Sequence, residues 1–145
     1  MIKAMLPGRP LSQKLLKPTK KKVKVNIFGI KNGKLKKEIT KLINQILKKE
    51  KIKTKELNLI ICDDEFIKKL NRKFLKRNYP TDVLAFNFDK DFLGEIYVSK
   101  DQALKQAKED KVKYTYRLKY LILHGLFHLL SYSHSEMERL IVKYL

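Results

Sequence analysis

All three histidines of this 145-residue chain fall within one short stretch, at His124, His128 and His134. This cluster constrains the fold more than any other feature. A step of four between the first two places both imidazoles on one face of a helix. Residues 120–132 (YLILHGLFHLLSY) are almost wholly apolar around them, so that helix should be buried over most of its circumference. The next six residues pass through Ser131, Tyr132 and Ser133 to reach His134. The third imidazole can rejoin the first two only if the helix stops near residue 130 and the chain turns at once. The expectation is a long helix capped by Thr115 and running to about residue 130. A tight turn follows, then a last helix opened by a capping box of Ser135 and Glu138.

Three neutral imidazole nitrogens leave a tetrahedral zinc ion with one open position, the arrangement of a catalytic rather than a structural site. A water bound there has a lowered pKa and supplies hydroxide near neutral pH. A lone histidine on an apolar helix is usually an ordinary core residue, but three clustered histidines with none elsewhere favour a metal site. The spacing also matches the metzincin peptidase pattern H-E-x-x-H-x-x-G-x-x-H. Gly125 stands where that pattern has its glutamate, the general base. Ser131 stands where it has glycine. A zinc peptidase on this chain would need a base from elsewhere.

The rest of the sequence reads as one layered domain. Val23, Val25 and Ile27 alternate with polar residues as in a half-buried strand. Leu35, Ile39, Leu42, Ile43, Ile46 and Leu47 keep helical spacing. Residues 57–62 (LNLIIC), 83–88 and 94–99 (GEIYVS) read as strands. Asp63 or Asp64 can cap a helix whose inner face is Phe66, Ile67, Leu70 and Phe74. Ser99 with Gln102 reads as a capping box, and Met137, Leu140, Ile141 and Tyr144 form a final apolar stripe. The expected fold is α+β (α/β layered): a small mixed sheet of about four strands packed with about five helices, as a single metalloprotease-like domain over residues 23–145.

Charge divides the chain unevenly. Residues 1–22 hold seven basic and no acidic residues, residues 23–55 eleven and two, and residues 56–145 sixteen and thirteen. With three prolines and no clean period, residues 1–22 read as a basic N-terminal arm. The net charge of +19 calls for a polyanionic partner but does not itself choose nucleic acid over an anionic membrane. A lysine-rich surface favours phosphate contacts over base reading. Before residue 56 the one aromatic is Phe28, which gives no stacking platform by itself. The single cysteine, Cys62, excludes an intrachain disulfide, fits a reducing compartment and sits in an apolar run as core. No apolar stretch is long enough to span a bilayer, and no signal-peptide core is present. A cytoplasmic protein is expected.

Three stretches carry a resemblance to the YbeY family of bacterial endoribonucleases. HGLFHLLSYSH (124–134) resembles the family's H-G-x-L-H-L-x-G-Y-D-H. PTDVLAF (80–86) resembles P-T-D-V-L-S-F, and LGEIYVS (93–99) resembles L-G-D-I-x-I-S. Leu70-Asn71 begins a weaker matching segment. The resemblance implies a metal-dependent hydrolase that cuts single-stranded RNA. It implies a role in ribosomal RNA maturation at the 3′ end of the small-subunit (16S) RNA, and in ribosome quality control. It also implies Zn2+ on His124, His128 and His134, with the small ribosomal subunit as partner and no membrane. The family has glycine where Ser131 stands and aspartate where Ser133 stands. Its arginine four residues past Asn71 is replaced by Leu75, and its aspartate before Pro80 by Asn78.

The expected catalytic residues are therefore His124, His128, Arg77 and Asp82. Arg77, or Lys76 beside it, could hold the phosphate in place of the arginine missing at Leu75. Asp82 and Glu95 are the acids nearest the matched motifs, and either could orient a ligand histidine or serve as acid or base. Against that, Asp82 can be a turn cap after Pro80, Glu95 an edge-strand charge, and Thr81 a local turn residue. Two other functions stay open: a zinc peptidase without its usual glutamate, and a non-catalytic RNA-binding protein with a structural metal. The sequence leaves the oligomeric state open.

Overall fold

The computed structural model describes residues 2–5, 23–52, 56–87 and 92–145. Within these, the strands are β1 (Ile2–Met5), β2 (Lys24–Phe28), β3 (Glu56–Cys62), β4 (Val83–Asn87) and β5 (Phe92–Ser99). The helices are α1 (Gly33–Lys49), α2 (Asp64–Leu75), α3 (Lys100–Asp110), α4 (Tyr114–Leu129) and α5 (His134–Tyr144). The strands form one mixed sheet in the order β1-β4-β5-β3-β2. β4 runs antiparallel to β5, while β1/β4, β3/β5 and β2/β3 are parallel pairs. The α+β single domain of the sequence reading is thus found, with a fifth strand. That strand is Ile2–Met5, a segment the basic composition had assigned to the arm. Residues 6–22 of the arm lie outside the described residues, as does Phe88 of the strand expected over 83–88.

Alternation sorts the strands between two faces. Val23, Val25, Ile27, Leu57, Leu59, Ile61, Val83, Ala85, Ile96 and Val98 belong to the large core with α1, α4 and α5. Leu84 and Phe86 turn to the other face, where Ile67 of α2 meets them. The expected inner face of α2 is only partly right. Ile67 is buried and Leu70 half-buried, but Phe66 and Phe74 remain 45% and 39% exposed beside Tyr97 and Phe86. Helix starts follow local chemistry. Asn32, Asp63 and Ser99 each accept a backbone N–H two to three residues into α1, α2 and α3. Thr115 does not cap α4, which begins one residue earlier after Lys113 with no side-chain cap. Among the described residues, no helix is long and apolar enough to cross a membrane.

α4 is the central helix. Leu118, Leu121, Ile122, Leu123, Leu126, Phe127 and Leu129 are all buried, each contributing about 1.5–3 kcal/mol by leaving water. Its depth is set at Gly125. A Cβ there would lie 2.6 Å from Ile96 Cγ2 and 3.2 Å from Val83 Cγ2. Alanine would gain about 1 kcal/mol of helix propensity but must force a β-branched neighbour aside, at about 1–3 kcal/mol. Gly125→Ala should therefore lower stability by about 1 kcal/mol, measured by urea unfolding. An unchanged or raised midpoint would show that α4 does not need this close approach.

Candidate metal centre and its surroundings

The exposed stripe of α4 is formed by Arg117, Tyr120, His124 and His128, all half-buried and spaced three to four residues apart. Helix and turn bring His134 onto this stripe. α4 ends in a Schellman motif: Tyr132 N–H donates to Phe127 O at 3.1 Å, and Ser131 N–H to His128 O at 3.0 Å. Tyr132 packs on Phe127 with ring centres 5.4 Å apart, the apolar contact that accompanies this motif. Ser131 occupies the left-handed position with φ 67°. The next cap lies two residues before the expected one. Ser133, not Ser135, caps α5, and its hydroxyl accepts from Glu136 N–H at 3.4 Å. The Ser133 hydroxyl also donates to Glu136 Oε1 at 2.8 Å, and His134 becomes the first residue of α5.

The three imidazoles face one another. Ring centres are 6.1 Å apart for His124–His128, 6.0 Å for His124–His134 and 5.5 Å for His128–His134. Three imidazoles on one tetrahedral ion at 2.0–2.1 Å would have centres about 5 Å apart. The trio is therefore slightly open. Among the described residues no three His, Cys, Asp or Glu side chains, as they are placed, stand close enough to hold one ion. Rotation about the soft second torsion of histidine moves a ring nitrogen by more than this difference. Nε2 of His124 and of His128 is buried, and that of His124 has no hydrogen-bond partner. Burial lowers the His124 pKa, against the opposing fields of Asp82 and Glu138. A neutral imidazole with an orphaned buried nitrogen is a fitting metal ligand.

Asp82 is held from three directions. Its Oδ1 accepts from Val83 N–H at 2.8 Å, its Oδ2 from Gln106 Nε2 at 3.1 Å, and its carbonyl from Ser99 N–H at 2.9 Å. It is both a turn cap and a carboxylate whose field reaches His124. Glu95 lies elsewhere, on the sheet face away from α4, accepting from Tyr97 OH at 2.8 Å and Asn58 Nδ2 at 3.0 Å. Leu75 packs in the α2 cluster. Lys76 takes the left-handed cap of α2, and Arg77 N–H donates to Asn71 O at 3.2 Å. Both side chains are exposed, and among the described residues no contact joins either to the histidines. Asn71 is fully buried and donates to Tyr79 O at 2.9 Å, fixing the chain ahead of Pro80. Cys62 donates to Val98 O at 3.6 Å, and burial with the nearby Asp63 and Asp64 raises its thiol pKa to about 12. It is an unreactive thiol.

The sequence reading missed Arg117 and Tyr120, and gave Glu138, whose field reaches His124, only a capping role. Tyr120 meets His124 edge-on with centres 6.2 Å apart, and the Arg117 guanidinium lies 4.8 Å from the Tyr120 ring centre. Arg117 also donates to Asp110 Oδ2 at 2.5 Å, and its Nε is buried without a partner. Their positions seven and four residues before His124 were the available signal. The close contact at Gly125 also leaves no room for the glutamate of a zinc peptidase.

Residues 19–142 match the family described as Endoribonuclease YbeY. Among similar curated proteins of that name, one from Syntrophus aciditrophicus is 32% identical over 80% of this chain and 72% of its own length. One from Malacoplasma penetrans is 37% identical over 79% and 83%. One from Endomicrobium trichonymphae is 44% identical over 61% and 63%. A solution structure of a Thermotoga maritima protein superposes with a TM-score of 0.63 at 32% identity, covering 83% of this chain and 85% of that one.

The turn that delivers His134 carries a removable cost. A non-glycine residue in the left-handed region is disfavoured by about 1–2 kcal/mol, partly offset by the greater chain entropy of glycine. Ser131→Gly should raise stability by about 0.5–1 kcal/mol in thermal or urea unfolding. A loss of stability would mean that Ser131 makes a side-chain contribution larger than its backbone strain.

Proposed function

The chain belongs to the YbeY endoribonuclease family, and on that premise we propose that it is a metal-dependent hydrolase of single-stranded RNA phosphodiesters. We assign its action to small-subunit ribosomal RNA, at 3′-end maturation and in ribosome quality control, in the cytoplasm. The family resemblance supports the substrate and the process. The observation that carries the chemistry is the histidine trio at one open face, with a buried, unpartnered nitrogen on His124.

His124, His128 and His134 would hold the ion, with zinc preferred although imidazole sites accept several divalent metals. When bound, such an ion supplies Lewis-acid charge and a hydroxide-forming water. The protein's own residues do the rest. Burial keeps His124 neutral and ready to donate its lone pair. Asp82, locked by Val83 and Gln106, provides fixed negative charge beside the ligand set and acts as a positioning residue. Arg117 lies on the same helical face, stacked on Tyr120. It is better placed than Arg77 or Lys76 to take the phosphate-holding role of the arginine missing at Leu75, because it shares a rigid helix with the ligands. Tyr120 offers a flat, half-buried ring beside the reacting position, against which a base can stack.

The test pairs metal content with cleavage. Purified protein should contain about one divalent ion per chain, and His124→Ala with His128→Ala should lose it. The same double variant, and chelator on the native chain, should abolish cutting of single-stranded RNA while duplex RNA and casein stay intact throughout. Native protein without metal, or RNA cleavage surviving in the double variant, would overturn the assignment. Metal retention with RNA binding but no cleavage would instead favour a non-catalytic RNA-binding protein.

A further inference from the structure

β2 is the last strand of the sheet on its side, so among the described strands none pairs with its outer edge. A strand in that position presents a row of open backbone N–H and C=O groups. Proteins commonly blunt such an edge with proline, a bulge or an inward-pointing charge. Residues 24–28 (KVNIF) carry no proline or bulge, and their one charge is the exposed Lys24 at the strand's start. Val25 and Ile27 are half-buried on the α1 side of the sheet. Phe28 is 54% exposed on the opposite side, the side on which Asn26 donates to Asn58.

A cleft of about 860 Å³ runs between this edge and one flank of α1, with Val25, Ile27, Lys36, Lys37, Lys41 and Asn44 in its lining. On the helix the lining residues recur at steps of three and four from Gly33 to Asn44, about 16 Å along the axis. A five-residue strand is also about 16 Å long, so cleft and open edge match in length. The cations of this flank are uncommitted. Lys34, Lys36, Lys37 and Lys41 are exposed, and among the described residues no carboxylate pairs with them. Glu38, the acid between them, is bonded to Lys119 of α4 at 3.0 Å.

Lysines alone would accept any polyanion. The open edge is more selective, because it offers main-chain hydrogen bonds to an extended peptide whose side chains are then read alternately on two faces. A second copy of this chain could offer its own β2. Pairing edge to edge about a two-fold axis would, however, bring the α1 lysines of both copies together on one face, and like charges so placed oppose association. An acidic strand meets attraction there instead. We propose that the outer edge of β2 and the flank of α1 form a strand-addition site for an extended acidic segment of a partner protein. The segment lies beside β2 as a further strand. Its side chains on the α1 side are carboxylates that meet Lys36, Lys37 and Lys41, and those on the other side are apolar and cover Phe28.

The probe is a fluorescein-labelled peptide, Glu-Val-Glu-Val-Glu-Val-Glu, whose binding to the full chain is followed by anisotropy at low salt. In an added strand, alternate residues turn their N–H groups to the neighbour and the rest turn theirs to solvent. Two further peptides therefore carry N-methyl groups, one on the three valines and the other on three glutamates. One of them should bind about as well as the parent, and the other at least about tenfold more weakly for want of main-chain bonds. Lys36→Gln/Lys37→Gln/Lys41→Gln should weaken the parent peptide about tenfold. Lys105→Gln/Lys108→Gln/Lys111→Gln, on and just after α3, should cost less than about twofold. Phe28→Ala should cost about threefold. All substituted side chains are exposed, and melting curves check that each variant folds. Amide exchange over residues 24–28 should slow when the peptide binds. Equal binding of the two methylated peptides, equal losses in the two triples, or unchanged exchange in β2 would overturn the site and leave α1 a cationic surface open to any polyanion, RNA included. A dimer in sedimentation, with β2 protected in the absence of peptide, would give the edge to a second copy and overturn it as well.

Discussion

Gly125 lies so close to the sheet that a methyl group in its place would collide with Ile96 of β5 and crowd Val83 of β4. That contact fixes how deeply α4 sinks against β4 and β5, and the candidate site depends on the depth. With α4 pressed onto the sheet, one side of the helix is buried among Leu121, Leu126 and Phe127. The opposite stripe is left half-open with Arg117, Tyr120, His124 and His128 in a row. A larger residue at position 125 would lift the helix and move both histidines away from the Asp82 carboxylate that β4 and α3 hold in place.

The second constraint is the reversal after α4. His134 reaches the other imidazoles because α4 stops with a left-handed residue and α5 starts almost at once. Two backbone bonds and the Phe127–Tyr132 contact stop the first helix, and the Ser133–Glu136 pair starts the next. Two of the departures from the family pattern, Ser131 and Ser133, fall on these two backbone devices. Serine at 131 keeps the turn at some conformational cost, and serine at 133 keeps a capping oxygen where aspartate would supply one. Both preserve the geometry around the histidines.

How much of this was legible in the sequence varied with how local the cause was. Ser99 as a cap, the helical stripe of α1 and the alternation of Val23, Val25 and Ile27 depend on neighbours in the chain, and they were read correctly. The cap of α5 was placed two residues late because two S-x-x-E frames overlap at 133–138, and only the backbone chooses between them. The strand Ile2–Met5 was hidden because its pairing partner, β4, lies eighty residues away, and a four-residue strand beside a lysine-rich arm has no period to detect. Glu95 looked like a site residue because it stands inside a motif, but strand parity turns it to the far face with Asn58 and Tyr97. Arg117 and Tyr120 were passed over because attention stopped at the motif's first histidine, although helical spacing carries the same face two turns further back.

The molecule thus separates two kinds of electrostatics. Exposed lysines on α1 present a diffuse cationic wall that salt screens. The histidine face is half-buried at His124 and His128, with a few fixed charges around it, so an ion there would dominate the local field. The central claim is that three imidazoles form one open metal site. X-ray absorption on the zinc-loaded full chain tests it most directly. The account predicts about three imidazole nitrogens and one oxygen at about 2.0–2.1 Å. A sulfur scatterer at about 2.3 Å, or a shell with fewer than three imidazoles, would contradict it.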